Sequence, residues 1–391
     1  TSAVGAAASG PGGWLNATLA ICSDLSFGYF SEAVHLTSAK EVRQWLREAH
    51  SRTRLGAVPS RVATHPPGPV IFVRWALQGL RRHQGITRVL SFPLRRHALS
   101  AKELEALAGS VSSAHPGASW ILAATGLVWL LAIGAPLAVA GAFALGAACR
   151  DLRTGFLAAA LTATIPALHI FMPGIDSWAA AISTWAMATA IWALKSRRVW
   201  AAGIAGLVWG VGLQWTFGLA ALAPVMLWAL WRWRWPRWWQ AAAMLAAGLI
   251  AAHIPLVVLG YNPIDGFILS MRAQRAIMSE RSYLSWIPLN AWDVILFMGP
   301  ALVGLCTAAW GEDADLLLPV CATLVVLLLM GTTRGEVGRI WCFLMTPAAA
   351  AGACVLGRLR ESALVLTGAV VVACQLAIAM VYVSYLALVT P

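Results

Sequence analysis

Residues 119–148 contain no Asp, Glu, Lys or Arg, a run long enough to cross a bilayer as helix. No other feature constrains the fold as much, because a lipid-exposed backbone must satisfy its own hydrogen bonds, which leaves helices or a closed barrel. Similar runs recur at about 154–172, 176–194, 199–231, 238–259, 290–309, 315–331, 339–357 and 362–388. The run 199–231 is too long for one crossing and carries Gly210, Gly212 and Gln214 midway, so it reads as two helices joined near Gln214–Thr216. The expectation is an all-α polytopic membrane protein with about ten spans over 119–391, preceded by a water-exposed region over 1–118. Mean hydropathy of +0.73 with only 11% charged residues excludes an ordinary soluble domain.

The basic excess, 28 Lys and Arg against 16 Asp and Glu, invites a nucleic-acid reading. Placement argues against it: many of the cations flank apolar runs, where they set topology and meet anionic headgroups. Arg150/Arg153, Lys195/Arg197/Arg198, Arg232/Arg234/Arg237 and Arg358/Arg360 all fall on one side, read as the cytoplasm; the acidic turn Glu312-Asp313-Asp315 disagrees. Trp231, Trp233, Trp235, Trp238 and Trp239 read as an interfacial belt. Most of the seven cysteines lie in or beside apolar segments without a CxxC, as helix-packing residues do. The chain begins on Thr without a signal-type segment, and an upstream transmembrane helix is expected.

Three short helices are expected before the spans. Ser38-x-x-Glu41 and Ser100-x-x-Glu103 are capping boxes, and Pro69 suits the first turn of a helix over 70–80. The first of the three places Val42, Trp45 and Leu46 on one face, as an interfacial helix does.

By the topology above, the reactive residues collect on the non-cytoplasmic side. Asp24 stands beside Phe27, Tyr29 and Phe30, where an interfacial carboxylate suits a general base; a loop-capping Asp is the alternative. Glu32 reads as a supporting or solvated residue. His65, held extended before two prolines, suits a phosphate oxygen or a metal, or is merely solvated. Asp176 follows Pro173-Gly174 at the start of a span, where the helix dipole also favours it. Asp24, His65 or His169, and Asp176 are one way to hold a divalent cation, although no tight ligand spacing supports it. Arg334, Glu336 and Arg339 lie in a charged turn between two spans, where Arg suits a phosphate clamp or an interface anchor. Arg272, Arg275 and Arg281 place further positive charge on that side, as an anionic lipid-phosphate substrate would require. No GxSxG elbow, HExxH, Walker A or dinucleotide fingerprint occurs in a suitable context.

With these residues laid out, the chain resembles the GT-C membrane glycosyltransferases, in the branch of protein O-mannosyltransferases, aminoarabinose–lipid A transferases and related bacterial family-39-like proteins. The resemblance rests on Asp24 with Tyr29-Phe30-Ser31-Glu32-Ala33, on His65-Pro66-Pro67-Gly68-Pro69, and on Ile165-Pro166 with Phe171-Met172-Pro173-Gly174-Ile175-Asp176. The Gly-rich run 203–212 and Arg334-Gly335-Glu336 with Arg339-Ile340-Trp341 complete it. It implies a helical bundle with juxtamembrane helices in the first extracytoplasmic loop. It further implies transfer of a sugar from a polyprenyl-phosphate donor to an acceptor lipid, glycan or protein, at the outer face of a bacterial cytoplasmic membrane. Asp24 is then catalytic, His65 lies near the donor phosphate, where the aminoarabinose branch has lysine, and Asp176 lines the same cavity. Two departures stand out: the first transmembrane helix of the family is missing from the sequence, and no second acid adjoins Asp24. A transporter or lipid-phosphate flippase is the alternative; it predicts ionisable residues within spans, seen as His169 and His253, and interrupted helices.

Overall fold

The computed structural model describes residues 13–48, 61–95, 97, 99–171, 174–308 and 314–385, and among them it contains helices, turns and loops but no strand. Seven α-helices among the described residues precede the bundle: α1 (Gly13–Cys22), α2 (Tyr29–His35), α3 (Ala39–Arg47), α4 (Gly68–Arg82) and α5 (Ala101–Val111), with the short Gln84–Leu90 and Phe92–Arg95 between the last two. Both capping boxes form as expected: Ser38 Oγ accepts from Glu41 N and Ser100 Oγ accepts from Glu103 N. Hydrogen bonds from Ser38 and Thr37 hold the Glu41 carboxyl below the usual carboxylate range, so this cap is lost as pH falls through that lowered value.

The bundle follows as α6 (Ala118–Ala132), α7 (Gly134–Cys149), α8 (Leu152–Ala163), α9 (Ile175–Ser196), α10 (Val199–Trp215), α11 (Ala223–Arg232) and α12 (Trp238–Val258). It continues through α13 (Pro263–Met278), α14 (Tyr283–Met298), α15 (Pro300–Ala308), α16 (Ala314–Met330), α17 (Cys342–Leu356) and α18 (Glu361–Tyr385). Among the described residues four segments are long and apolar enough to cross a membrane, α6 with α7, α9, α12 and α18, or five if the bent pair α14–α15 is one span. The ten crossings expected from the sequence differ from this through five shorter apolar helices, Leu152–Ala163, Val199–Trp215, Phe217–Arg232, Asp315–Met330 and Cys342–Leu356. The chain is a multi-pass helical membrane protein.

Helix α9 is the hub, packed against α7, α10 and α17 and largely covered by protein, whereas α12 and α18 mostly face outward. Lipid tails are as apolar as side chains, so close backbone packing and internal hydrogen bonds must hold such a bundle together. Ser183 in α9 donates to the Phe343 carbonyl of α17 at 2.8 Å, and the Trp215 indole donates to the Ile175 carbonyl at 2.8 Å. Helices α10 and α12 touch backbone to backbone: a Cβ on Gly206 would land on the Leu245 carbonyl oxygen, and one on Gly248 on the Gly203 carbonyl oxygen. Gly206→Val is therefore expected to cost about 3 kcal/mol by overpacking. Thermal unfolding in detergent would show a clear drop in Tm, and an unchanged Tm would mean the pair is not tightly packed.

The break expected near Gln214–Thr216 is present: α10 stops at Trp215, Thr216 is extended, and a 3-10 turn over Phe217–Leu222 leads into α11. A second break was not expected. The run 290–309 reads as one span, yet α14 and α15 meet at 97°. Gly299 supplies the turn with φ +93, a backbone region costly for other residues. Buried Gln375 of α18 donates to the Met298 carbonyl at 2.9 Å, satisfying a group the bend exposes. The stretch 261–290, which carries Arg272, Arg275 and Arg281 between two apolar runs, is mostly helical, as α13 and the start of α14.

Candidate active site

The loop after α1 is fixed through its acid. Asp24 is half-buried; one carboxylate oxygen accepts from Ser31 Oγ, and the other accepts from Ser113 N at 2.8 Å. Ser31 also contacts Ser112 Oγ at 2.8 Å, and Asp24 N donates to Val111 O at 3.1 Å. The carboxylate is thus held in one orientation by the chain end of α5. Gly28, with φ +70, then turns the chain so that Tyr29 enters α2 with its ring buried. Glu32 is tied to α3 by the Trp45 indole, which donates to it at 2.9 Å.

His65 is half-buried at the end of a short 3-10 turn, with Pro66 and Pro67 buried behind it. The Tyr29 ring meets the imidazole edge-on, centroids 5.8 Å apart, and Thr64 Oγ1 lies 3.1 Å from His65 Nδ1. A Cβ on Gly68 would strike the Gln214 carbonyl, so the start of α4 is seated directly on the break after α10. Glycine alone permits that approach.

Arg339 is the buried charge of the molecule's outer turn, 8% exposed. Its guanidinium lies 3.5 Å from Asp176 at the start of α9 and 2.6 Å from Glu336, and the Tyr29 hydroxyl is within electrostatic reach. The Cys342 thiol donates to the Asp176 carbonyl at 3.1 Å, fixing this helix start against α17. The sequence-predicted residues Asp176, Glu336 and Arg339 therefore form one cluster, joined to His65 through Tyr29. Asp176 and Glu336 share the Arg339 guanidinium.

Arg334 is placed differently. It donates to the carbonyls of Met278 at 2.9 Å, Gly331 at 3.1 Å and Arg281, and its charge lies 5.5 Å from the Tyr283 ring. Those bonds order the turn that presents Glu336. Asn290 does the same from below: buried in α14, it donates to Thr333 O at 2.7 Å and accepts from Gly335 N at 3.1 Å. Sequence reasoning did not single out Asn290; the available signal was a polar amide in an apolar helix, where burial demands a partner. Helix α13 closes the arrangement: Ser270 donates to Thr64 O at 2.5 Å and Gln274 to Thr332 O at 3.2 Å.

These elements enclose a cavity of about 320 Å³. Its walls are apolar, formed by Phe217, Met271, Val326, Leu327 and Trp341, and its polar end carries Thr64, His65, Gln274 and Thr333. Ile340 and Trp341 line it, directly after Arg339 in the chain. A long apolar ligand with a polar head matches this distribution of surface.

The cation set considered from the sequence does not assemble. His169 contacts the Ala163 carbonyl at 2.7 Å, and Asp24 is committed to Ser31 and Ser113. Among the described residues no three His, Cys, Asp or Glu side chains converge as metal ligands. Met172 and Pro173, Glu312 and Asp313 lie outside the described residues.

No family model matches the chain, and no curated protein matches it. Among solved structures it is similar to the crystal structure of the Archaeoglobus fulgidus oligosaccharyltransferase in complex with Zn and sulfate, with 14% identity and a TM-score of 0.43. The match covers 88% of this chain and 49% of that one, so the chain spans about half the length of the structure it resembles.

Proposed function

We propose that this chain is an integral membrane glycosyltransferase of the GT-C type, taking a sugar from a polyprenyl-phosphate donor at the extracytoplasmic face of a bacterial cytoplasmic membrane. The supporting observation is the apolar cavity whose polar end, at His65, adjoins the Asp176–Arg339–Glu336 cluster through Tyr29. The polyprenyl tail occupies the apolar walls, and the phosphate lies among His65, Thr64, Gln274 and Thr333. Asp24 takes the proton from the acceptor hydroxyl as its oxygen attacks the anomeric carbon with inversion. The bond from that carbon to the phosphate oxygen breaks, and polyprenyl phosphate leaves with its electron pair. Fixed donors suit that leaving charge because they need no reorganisation.

Asp176 and Glu336 orient a hydroxyl-bearing acceptor while Arg339 holds both acids in place. Arg334 contributes to phosphate binding by ordering the turn. Among the described residues no His, Cys, Asp and Glu group fits a divalent cation, and no step is assigned to one.

The test is transfer of radiolabelled sugar from a panel of polyprenyl-phosphate donors in membranes carrying the protein. Ala221→Trp, which fills the cavity, is expected to raise the donor KM about tenfold with kcat largely kept, the sign of lost uniform binding. Unchanged donor kinetics would remove the tail from this cavity. The flippase reading gains one observation, the interrupted helix at Gly299. It predicts transbilayer movement of a labelled lipid phosphate in proteoliposomes without sugar transfer.

A further inference from the structure

The level of α13 relative to a bilayer follows from the helix before it. Helix α12 is 21 residues long, about 30 Å at 1.5 Å per residue, which matches the hydrocarbon thickness of a bilayer. Its outward residues stay apolar to the last turn, at Ile254, Val257 and Val258. Gly260, with φ +98, turns the chain there, and the Asn262 side chain caps α13 by accepting from Ile264 N at 3.0 Å. Helix α13 therefore begins where the hydrocarbon ends.

One side of α13 belongs to the protein: Ser270 and Gln274 donate to Thr64 O and Thr332 O, and Phe267 and Met271 line the cavity. Its opposite side carries Ile264, Ile268, Arg272 and Arg275, all exposed. Steps of four, four and three residues put them on one stripe. An apolar half and a basic half on one exposed stripe, at headgroup level, is the pattern of an interfacial helix. We propose that this face docks on anionic lipids of the leaflet in which α12 ends, with the isoleucines at the acyl boundary and the two guanidiniums on lipid phosphates.

Both guanidiniums are available for that task. Among the described residues no ion pair or hydrogen bond engages Arg272 or Arg275. Asp265 of the same helix accepts from Asn262 Nδ2 at 2.6 Å, and Glu280 lies past the helix end. The segment 49–60, outside the described residues, precedes the 3-10 turn packed on α13 and contains no Asp or Glu. Arg281 is a different case, since it donates to Arg334 O and stands over the Trp286 ring. Phosphates near a membrane surface attract such basic clusters. A soluble anion would satisfy the arginines but leave Ile264 and Ile268 in water. A second copy paired through this face would set arginines against arginines.

The chain would be reconstituted in nanodiscs of phosphatidylcholine alone or mixed with phosphatidylglycerol, and amide hydrogen exchange followed over 263–278. Exchange there is expected to be roughly tenfold slower in the discs holding phosphatidylglycerol. That slowing should be lost in Arg272→Gln/Arg275→Gln and at high salt. Arg272→Lys/Arg275→Lys should keep it, which separates lost charge from misfolding. Lys40→Gln/Lys102→Gln, which removes the same charge from α3 and α5, should keep it as well. Equal exchange in both discs, or full slowing in the Gln pair, would overturn the proposal. Slowing by inorganic phosphate in phosphatidylcholine discs would also overturn it and assign the face to a soluble anion. Slowing that follows protein concentration alone would do the same in favour of a second copy.

Discussion

Asp24→Asn is expected to lower sugar transfer by roughly 10²- to 10⁴-fold, the range for loss of a positioned general base, while leaving Tm nearly unchanged. The geometry makes this substitution unusually clean. The amide oxygen can still accept from Ser113 N, and the amide nitrogen can donate to Ser31 Oγ, which turns its own proton to Ser112. Loop anchoring thus survives while the negative charge and the basic lone pair are lost. Transfer kinetics at matched expression, together with a melting curve, decide the matter. An Asn variant with full activity would reduce Asp24 to the anchor of the loop, and the base would have to be sought at Asp176 or Glu336.

Arg339→Met should cost about 3 kcal/mol of stability, because it takes from Asp176 and Glu336 the guanidinium they share in a poorly hydrated place. The two acids are unequal: the Asp176 side chain is 15% exposed and that of Glu336 32%, so the first bears more of the loss. Arg339→Met/Asp176→Asn should recover a good part of it, since removing both charges avoids the uncompensated one. The coupling from the double-mutant cycle should exceed 1 kcal/mol. Additive effects would show that the 3.5 Å approach contributes nothing. Transfer should stay low in the double variant even where Tm recovers, because acceptor orientation needs the carboxylate.

Local features of the fold were readable and distant ones were not. The capping boxes at Ser38 and Ser100 need only residues three apart, and both form. The break after Trp215 was announced by glycines and a glutamine within one apolar run. The bend at Gly299 was marked by Gly299-Pro300, a breaker pair that the apolar run around it outweighed, while its polar support, Gln375, lies 77 residues from its partner Met298. Hydropathy across 290–309 is continuous through it. The same applies at the site. Charge placement in the sequence groups Asp24, His65, Asp176, Glu336 and Arg339 only as an expectation of one face. That Asp176, Glu336 and Arg339 touch, while Arg334 is bound to carbonyls, depends on contacts across the bundle. Asn290 could not be assigned from sequence because its partners, Thr333 and Gly335, are 43 and 45 residues on.

Helix α13 ties together two parts of the chain that lie far apart in sequence. Ser270 and Gln274, one turn apart on it, donate to Thr64 O and Thr332 O, and Arg334 donates to Met278 O at its end. A displacement of that helix therefore disturbs the segment before His65 and the turn after α16 together.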